Sequence, residues 1–188
     1  MERDEEVWNA IKKIGESHKD EVKKGTHKIV ENMFQNGMMP KNALGVSDQQ
    51  AEQLYTQAYQ LFNSGNYRAA MHLFDVLILL DVTQPKYMFG LAACRHMLGD
   101  FEDAADTYMG CAMLDPENPV PFFHASDCWM QLNEPHSALV CLRMTVRRSG
   151  DNESYATIKD RALLTIQALE KQLMEESQPA VPNEGGAS

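Results

Sequence analysis

Between Ala51 and Asn152 the apolar positions recur at helical spacing in three blocks of 34 residues, 51–84, 85–118 and 119–152. Within each block, apolar residues three and four apart predict two amphipathic helices, over roughly the second to fourteenth and the eighteenth to thirtieth places. A small residue stands at the eighth place (Ala58, Ala92, Ser126) and again at the twentieth (Ala70, Ala104, Ala138), where neighbouring helices have to come close. A large apolar or aromatic residue follows at the twenty-fourth: Phe74, Tyr108 and Leu142. Gly65, Gly99 and Asn133 fall at the fifteenth, and each tolerates the positive φ that a turn between helices often requires. A single hairpin of this kind cannot bury its apolar face alone, so the fixed period predicts an all-α solenoid of three stacked helix-turn-helix units.

The same reading divides the flanks. Residues 1–25 form a charged arm with a thin apolar stripe of Val7, Trp8, Ile11, Ile14 and Val22. Residues 26–46 hold a leader helix, Thr26 to Asn36, with Ile29, Val30, Met33 and Phe34 on one side, Gly37 as its stop, and a linker around Pro40. The three-repeat domain with its cap spans 47–176, and Ser47 with Gln50 three residues on makes a capping-box signature at its start. Beyond Asn152, a helix over 153–176 carries Ile158, Ala162, Thr165, Ile166, Leu169 and Leu173 along one side and is expected to cover the open end of the third hairpin. The tail 177–188, with two Pro, two Gly and almost nothing apolar, is expected to be disordered.

Charge and cysteine usage narrow the function classes. The net charge of −10 over 188 residues argues against nucleic acid, whose binding needs clustered Lys and Arg. No apolar run approaches the ~20 residues of a membrane span, and the charged opening residues are unlike a signal peptide, so an intracellular, soluble protein is expected. Cys94 and Cys128 share the tenth place, while Cys111 and Cys141 fall at the twenty-seventh and twenty-third, so they read as small packing residues in a reducing cytoplasm. Zinc would want paired ligands such as Cys-x-x-Cys; only Cys94-x-His96 and His124-x-x-x-Cys128 offer themselves. No catalytic motif is present, and neither enzymatic activity nor a metal or other cofactor is expected.

In a stack of hairpins the first helix of each repeat lines the concave side, and its second, fifth, ninth and twelfth residues share the inward stripe. These are Glu52, Tyr55, Tyr59 and Phe62, then Lys86, Phe89, Ala93 and His96, then Val120, Phe123, Asp127 and Met130. The candidate peptide-binding residues are Tyr55, Tyr59, Phe62, Lys86, Phe89, Ala93, His96, Phe123, Asp127 and Met130. Rings stand where a solvated face would carry Lys and Glu, which points to a site for an apolar or extended segment. The competing reading packs Phe62, Phe89 and Phe123 between hairpins, although Leu54, Leu61, Met88, Leu91, Phe122 and Trp129 already occupy the interface places. A clamp for the carboxylate terminus of a heat-shock protein would need cations and amides where this chain has Tyr55, Tyr59, Ala93, Val120 and His124.

The recurring small, aromatic and turn residues match the tetratricopeptide pattern. More narrowly, Thr26 to about Met174 resembles the class II chaperones of bacterial type III secretion systems. The resemblance runs through Asn36-Gly37, Leu54-Tyr55-Thr56-Gln57-Ala58-Tyr59, Gly65-Asn66-Tyr67-Arg68-Ala69-Ala70, Tyr87-Met88-Phe89-Gly90-Leu91-Ala92-Ala93 and Pro121-Phe122-Phe123-His124. It implies a bacterial cytoplasmic protein that holds an N-terminal segment of a hydrophobic translocator in its groove, preventing aggregation or premature membrane entry. Pro and Leu anchors would then enter pockets at Tyr55, Tyr59, Phe62, Phe89 and Phe123, with room left by Ala93 and polar contacts from Lys86, His96 and Asp127. Members of that family often form homodimers through N-terminal helices, a role that the Val7, Ile11 and Ile14 spacing could serve here, with a solvated arm as the open alternative. The rival within binding proteins is a scaffold acting through its convex face or its N-terminal arm.

Overall fold

The computed structural model describes residues 37–177 together with Lys28 and Glu31. The arm 1–25, the rest of the leader helix 26–36 and the tail from residue 178 lie outside the described residues. The elements are α1 (Pro40–Ala43), α2 (Asp48–Asn63), α3 (Tyr67–Leu80), α4 (Pro85–Leu98), α5 (Phe101–Leu114), α6 (Val120–Gln131), α7 (Pro135–Ser149), a 3-10 turn (Glu153–Tyr155) and α8 (Ala156–Ser177). No strand occurs among the described residues. The one-turn α1 falls in the stretch read as linker, where Pro40 at the first helical position is pre-set for a helix start.

Local chemistry fixes where each helix begins and ends. Ser47 caps α2 reciprocally: its hydroxyl accepts from the Gln50 amide at 3.2 Å, and its own amide donates to Gln50 Oε1 at 2.8 Å. At the fifteenth place of each repeat the backbone turns left-handed, with φ of +80° at Gly65, +85° at Gly99 and +57° at Asn133. One hydrogen-bond scheme closes all three turns. The amide of the next residue reaches back five residues, from Asn66 to Leu61, Asp100 to Arg95 and Glu134 to Trp129, satisfying carbonyls that the helix end would leave open.

From α2 to α8 each helix packs on its neighbours in sequence; α1 meets α3, and α2 also meets α4, as α6 meets α8. Contact across a whole repeat through the first helices puts them on the shorter, inner side of the curve. Close approach is made through residues with no exposed surface: Ala58, Ala92 and Ser126 in the first helices, Ala70, Ala104 and Ala138 in the second. Three apolar clusters follow one another along the stack, around Phe74 and Leu77, around Tyr108 and Cys128, and around Leu142 and Ala162, the last supplied by α8.

The four cysteines are buried free thiols. Burial pushes the thiols of Cys94, Cys111 and Cys141 up to about 11 and that of Cys128 up to about 12, so all stay protonated near neutral pH. Cys111 Sγ lies 3.3 Å from the carbonyl of Pro85, a donor placed against the start of the neighbouring helix. Among the described residues no group of three His, Cys, Asp or Glu is arranged to hold a metal, and no helix is long and apolar enough to cross a membrane.

A close helix contact lies between the second helix of repeat one and the first of repeat two. A Cβ added to Gly90 would fall 2.3 Å from the ring of Phe74, which is itself buried at the centre of the first cluster. Gly90→Val is therefore expected to lower stability by about 1–3 kcal/mol through overpacking, more than its helix-propensity gain returns. Thermal melting followed by circular dichroism checks this; an unchanged or raised midpoint would contradict the close approach.

Candidate functional site

The inner side of the stack carries an aromatic wall built from places set by the repeat. Tyr55 on α2 stacks on Tyr59, with ring centroids 6.5 Å apart and planes 20° apart, and meets Phe74 and Tyr87 at 6.1 and 5.9 Å. Lys86 crosses from the next repeat. Its ammonium lies 4.5 Å above the Tyr55 ring and 2.6 Å from Glu52 Oε2, at the equivalent place one period earlier. The hydrogen bond to Glu52 raises the Lys86 pKa against the opposing effect of burial. Two repeats are thereby joined at the surface of the groove.

Beside this pair opens a cleft of about 480 Å³, bounded by Tyr55, Lys86 and Phe89 together with Pro85, Cys111 and Val120. Gln84, Asp115 and Asn118 supply its polar edge. They come from the junctions between repeats, where the thirty-first and thirty-fourth places twice hold an Asp followed by a carboxamide residue, Asp81 with Gln84 and Asp115 with Asn118. The Gln84 amide donates to Asp81 at 3.2 Å, and the Asn118 amide donates to Asp115 at 3.3 Å. The sequence reading passed over these residues because it followed only the inward stripe of the first helices. Their recurrence at one period was the available signal.

Further along, Phe89 sets its edge against Tyr108 at 5.4 Å and His124 at 5.5 Å. His124 stacks on Tyr108 at 5.4 Å, and His96 stands edge-on to Phe101 and Tyr108. Burial lowers the His124 pKa, and the proximity of His96 and Arg161 lowers it further, so the imidazole is held neutral. Asp127 Oδ2 lies 4.0 Å from His124 Nδ1. Burial raises the Asp127 pKa, an effect that His96 and Arg161 oppose. This end of the groove is a half-buried set of polar groups framed by rings.

The structure brings Tyr55, Lys86 and Phe89 together at the cleft and stacks Tyr59 on Tyr55, while Asp127 reaches Phe89 through His124, and His96 does so through Tyr108. Tyr59 is 54% exposed and free to meet a ligand, while Ala93 is half-buried. Phe62 belongs to the edge of the first core cluster, its ring 5.3 Å from Tyr67. Met130 lies apart, bordering a small recess with Pro135 and Leu169. Phe123 differs from the expectation of an open groove position. It is only 5% exposed, packs with Leu142 and Ala162, and has the Arg161 guanidinium 5.0 Å over its ring. Helix α8 thus does more than close the stack: it brings a cation to the groove's end, a residue invisible to a reading that treated 153–176 only as a cap.

The tetratricopeptide-repeat family model matches residues 51–81 and 85–118. The low calcium response locus protein H of Yersinia pestis is 30% identical over 124 residues, covering 66% of this chain and 74% of that protein. Among solved structures, a T3SS complex from Aeromonas hydrophila superposes with a TM-score of 0.72 at 28% identity, over 79% of this chain and 98% of that one. The Yersinia enterocolitica type III secretion chaperone SycD, solved in complex with a peptide of the translocator YopD, superposes with a TM-score of 0.66 at 27% identity, over 69% and 98%. With the stacked hairpins and the aromatic inner face already in place, these likenesses settle the family: the chain belongs to the tetratricopeptide-repeat translocator chaperones of type III secretion systems.

Proposed function

We propose that this protein holds an extended apolar segment of a type III translocator across its concave side, keeping the translocator from aggregating or entering the membrane before export. The observation that carries the reading is the cleft between Tyr55, Phe89 and Val120, in a chain whose relative SycD was solved with a translocator peptide bound. The role is one of binding, without a catalytic step, in the cytoplasm of a bacterium. Apolar anchors enter the cleft between repeats one and three, and the junction amides Gln84 and Asn118 stand where they can meet the backbone of an extended chain. Tyr59, Ala93, His96 and Asp127 extend the contact surface on either side.

Magnitudes fit a reversible holder. Three apolar anchors at ~2 kcal/mol each with a few hydrogen bonds at ~1 kcal/mol give a gross gain near 9 kcal/mol. Association costs of several kcal/mol leave one linear segment at about micromolar affinity. Such a complex forms in the cell and still yields its cargo to a secretion apparatus.

Tyr59→Glu is expected to weaken binding of the YopD peptide by about tenfold or more, the loss of one apolar anchor, while the helical circular dichroism stays unchanged. Fluorescence anisotropy with the labelled peptide measures it. Full affinity in the variant would place the segment elsewhere, and no binding by the unaltered protein would count against the reading.

The neutral state of His124 gives a second expectation. Its folded pKa lies below the unfolded value of about 6.5, so the unfolded chain takes up the proton more readily. The stability it contributes is complete above that value and is lost as pH falls toward the folded pKa. Asp127 acts in the opposite sense, its raised pKa favouring the folded state only at lower pH, toward the ordinary carboxylate range. Between pH 7.5 and 5.5 the melting temperature should therefore fall, and fall less in His124→Gln. Equal losses in the two proteins would contradict the assignment.

A further inference from the structure

Helix α8 continues the inward row of the repeats. At the same period from residue 153, Arg161 takes the ninth place, 34 residues after Asp127, as Asp127 stands 34 after Ala93 and Ala93 34 after Tyr59. Burial shows that α8 keeps this register: Cys94, Cys128 and Ala162, at the tenth place of successive units, have no exposed surface, and α6 meets α8 as α2 meets α4. The far end of the groove is therefore shared by three helices, with His96 on α4, His124 and Asp127 on α6 and Arg161 on α8. None of these four side chains makes a hydrogen bond to another described residue. His124 Nδ1 and Asp127 Oδ2 are 4.0 Å apart, too far for one, and the Arg161 guanidinium lies over the Phe123 ring rather than against a carboxylate. The side chains of His124 and Asp127 keep 36% and 33% of their surface open, so each can still take a partner from the groove. Burial raises the Asp127 pKa and lowers that of His124, as it does for groups drawn partly out of water.

We propose that this end of the groove binds an uncharged carboxamide side chain of the translocator segment, between Asp127 and Arg161, and thereby fixes which part of the segment lies toward α8. The proposal rests on the reading of the concave side as the peptide surface and adds a second, polar determinant to the apolar cleft. Charge decides the class of side chain. Arg161 is a cation and Asp127 an anion, so a charged group of either sign is drawn to one and repelled by the other. A carboxamide has N–H donors and a carbonyl acceptor, and can serve the carboxylate and the guanidinium at once. An apolar side chain would take both out of water and return no hydrogen bond. The groove thus reads two features of one segment: an apolar anchor between Tyr55, Phe89 and Val120, and an amide beyond Phe89, where the row passes from α6 to α8.

The test titrates the full chain at pH 8, above the ordinary imidazole range, into labelled YopD peptides carrying Asn, Ala, Asp or Lys at each position in turn, followed by fluorescence anisotropy. At one position Asn should bind about fivefold or more tightly than Ala, with Asp and Lys no better than Ala. Two near-isosteric variants give a readout that a merely structural role would not move. Asp127→Asn leaves Arg161 unopposed and should turn the preference at that position toward Asp, whereas Arg161→Gln leaves Asp127 unopposed and should turn it toward Lys, each several-fold. The absence of any such position, or an Asn preference that either variant leaves unchanged, overturns the proposal; the groove reading stands in that event provided Tyr59→Glu still weakens the parent peptide. Failure of the unaltered protein to bind any of the peptides overturns both.

Discussion

Everything in this molecule depends on helices approaching closely through side chains too small to hold them apart. Ala58, Ala92 and Ser126 are wholly buried in the first helices, as are Ala70, Ala104 and Ala138 in the second. Larger groups at these places would separate the hairpins and forfeit the contacts that Phe74, Tyr108 and Leu142 make one turn further on. Interiors packed at crystal-like density tolerate little slack, so the small residues fix the angle between hairpins and hence the curvature. Gly90 carries the same constraint to its limit, its Cα leaving space that the Phe74 ring fills.

Curvature then determines what the inner face can do. Packing the first helices on the short side of the arc brings Tyr55, Phe89 and Val120, from three different repeats, around one cleft. Lys86 is drawn to Glu52 and Tyr55 in the preceding repeat, so its charge is matched and leaves the cleft floor apolar. At the far end, burial keeps His124 neutral between rings, while Arg161 from α8 covers Phe123. The proposed peptide surface is thus graded, with apolar recesses toward the first two repeats and a half-buried polar cluster toward the cap.

Much of this was legible in the chain because a repeat states each structural demand more than once. The positive φ at Gly65, Gly99 and Asn133 and the capped start at Ser47 follow from local chemistry, which a sequence displays directly. The inward stripe also follows from period and helical geometry, and it located Tyr55, Lys86 and Phe89. What escaped depends on contacts between elements. Phe123 occupies an inward place by count, yet α8 arrives over it, and no periodicity within 119–152 encodes that neighbour. Gln84, Asp115 and Asn118 sit in junctions where no hydrophobic pattern exists, so only their recurrence one period apart marks them. The short helix at Pro40 was hidden by its length, since one turn leaves no pattern to read.

The central claim is that the inner face of the repeats is where a translocator segment lies. The most direct measurement is a crystal structure of this chain bound to its translocator segment. The account predicts an extended chain crossing the stack with an apolar side chain in the cleft between Tyr55, Phe89 and Val120. A segment seated instead on the outer face, in the groove between α7 and α8 beside Val140 and Leu173, would contradict it.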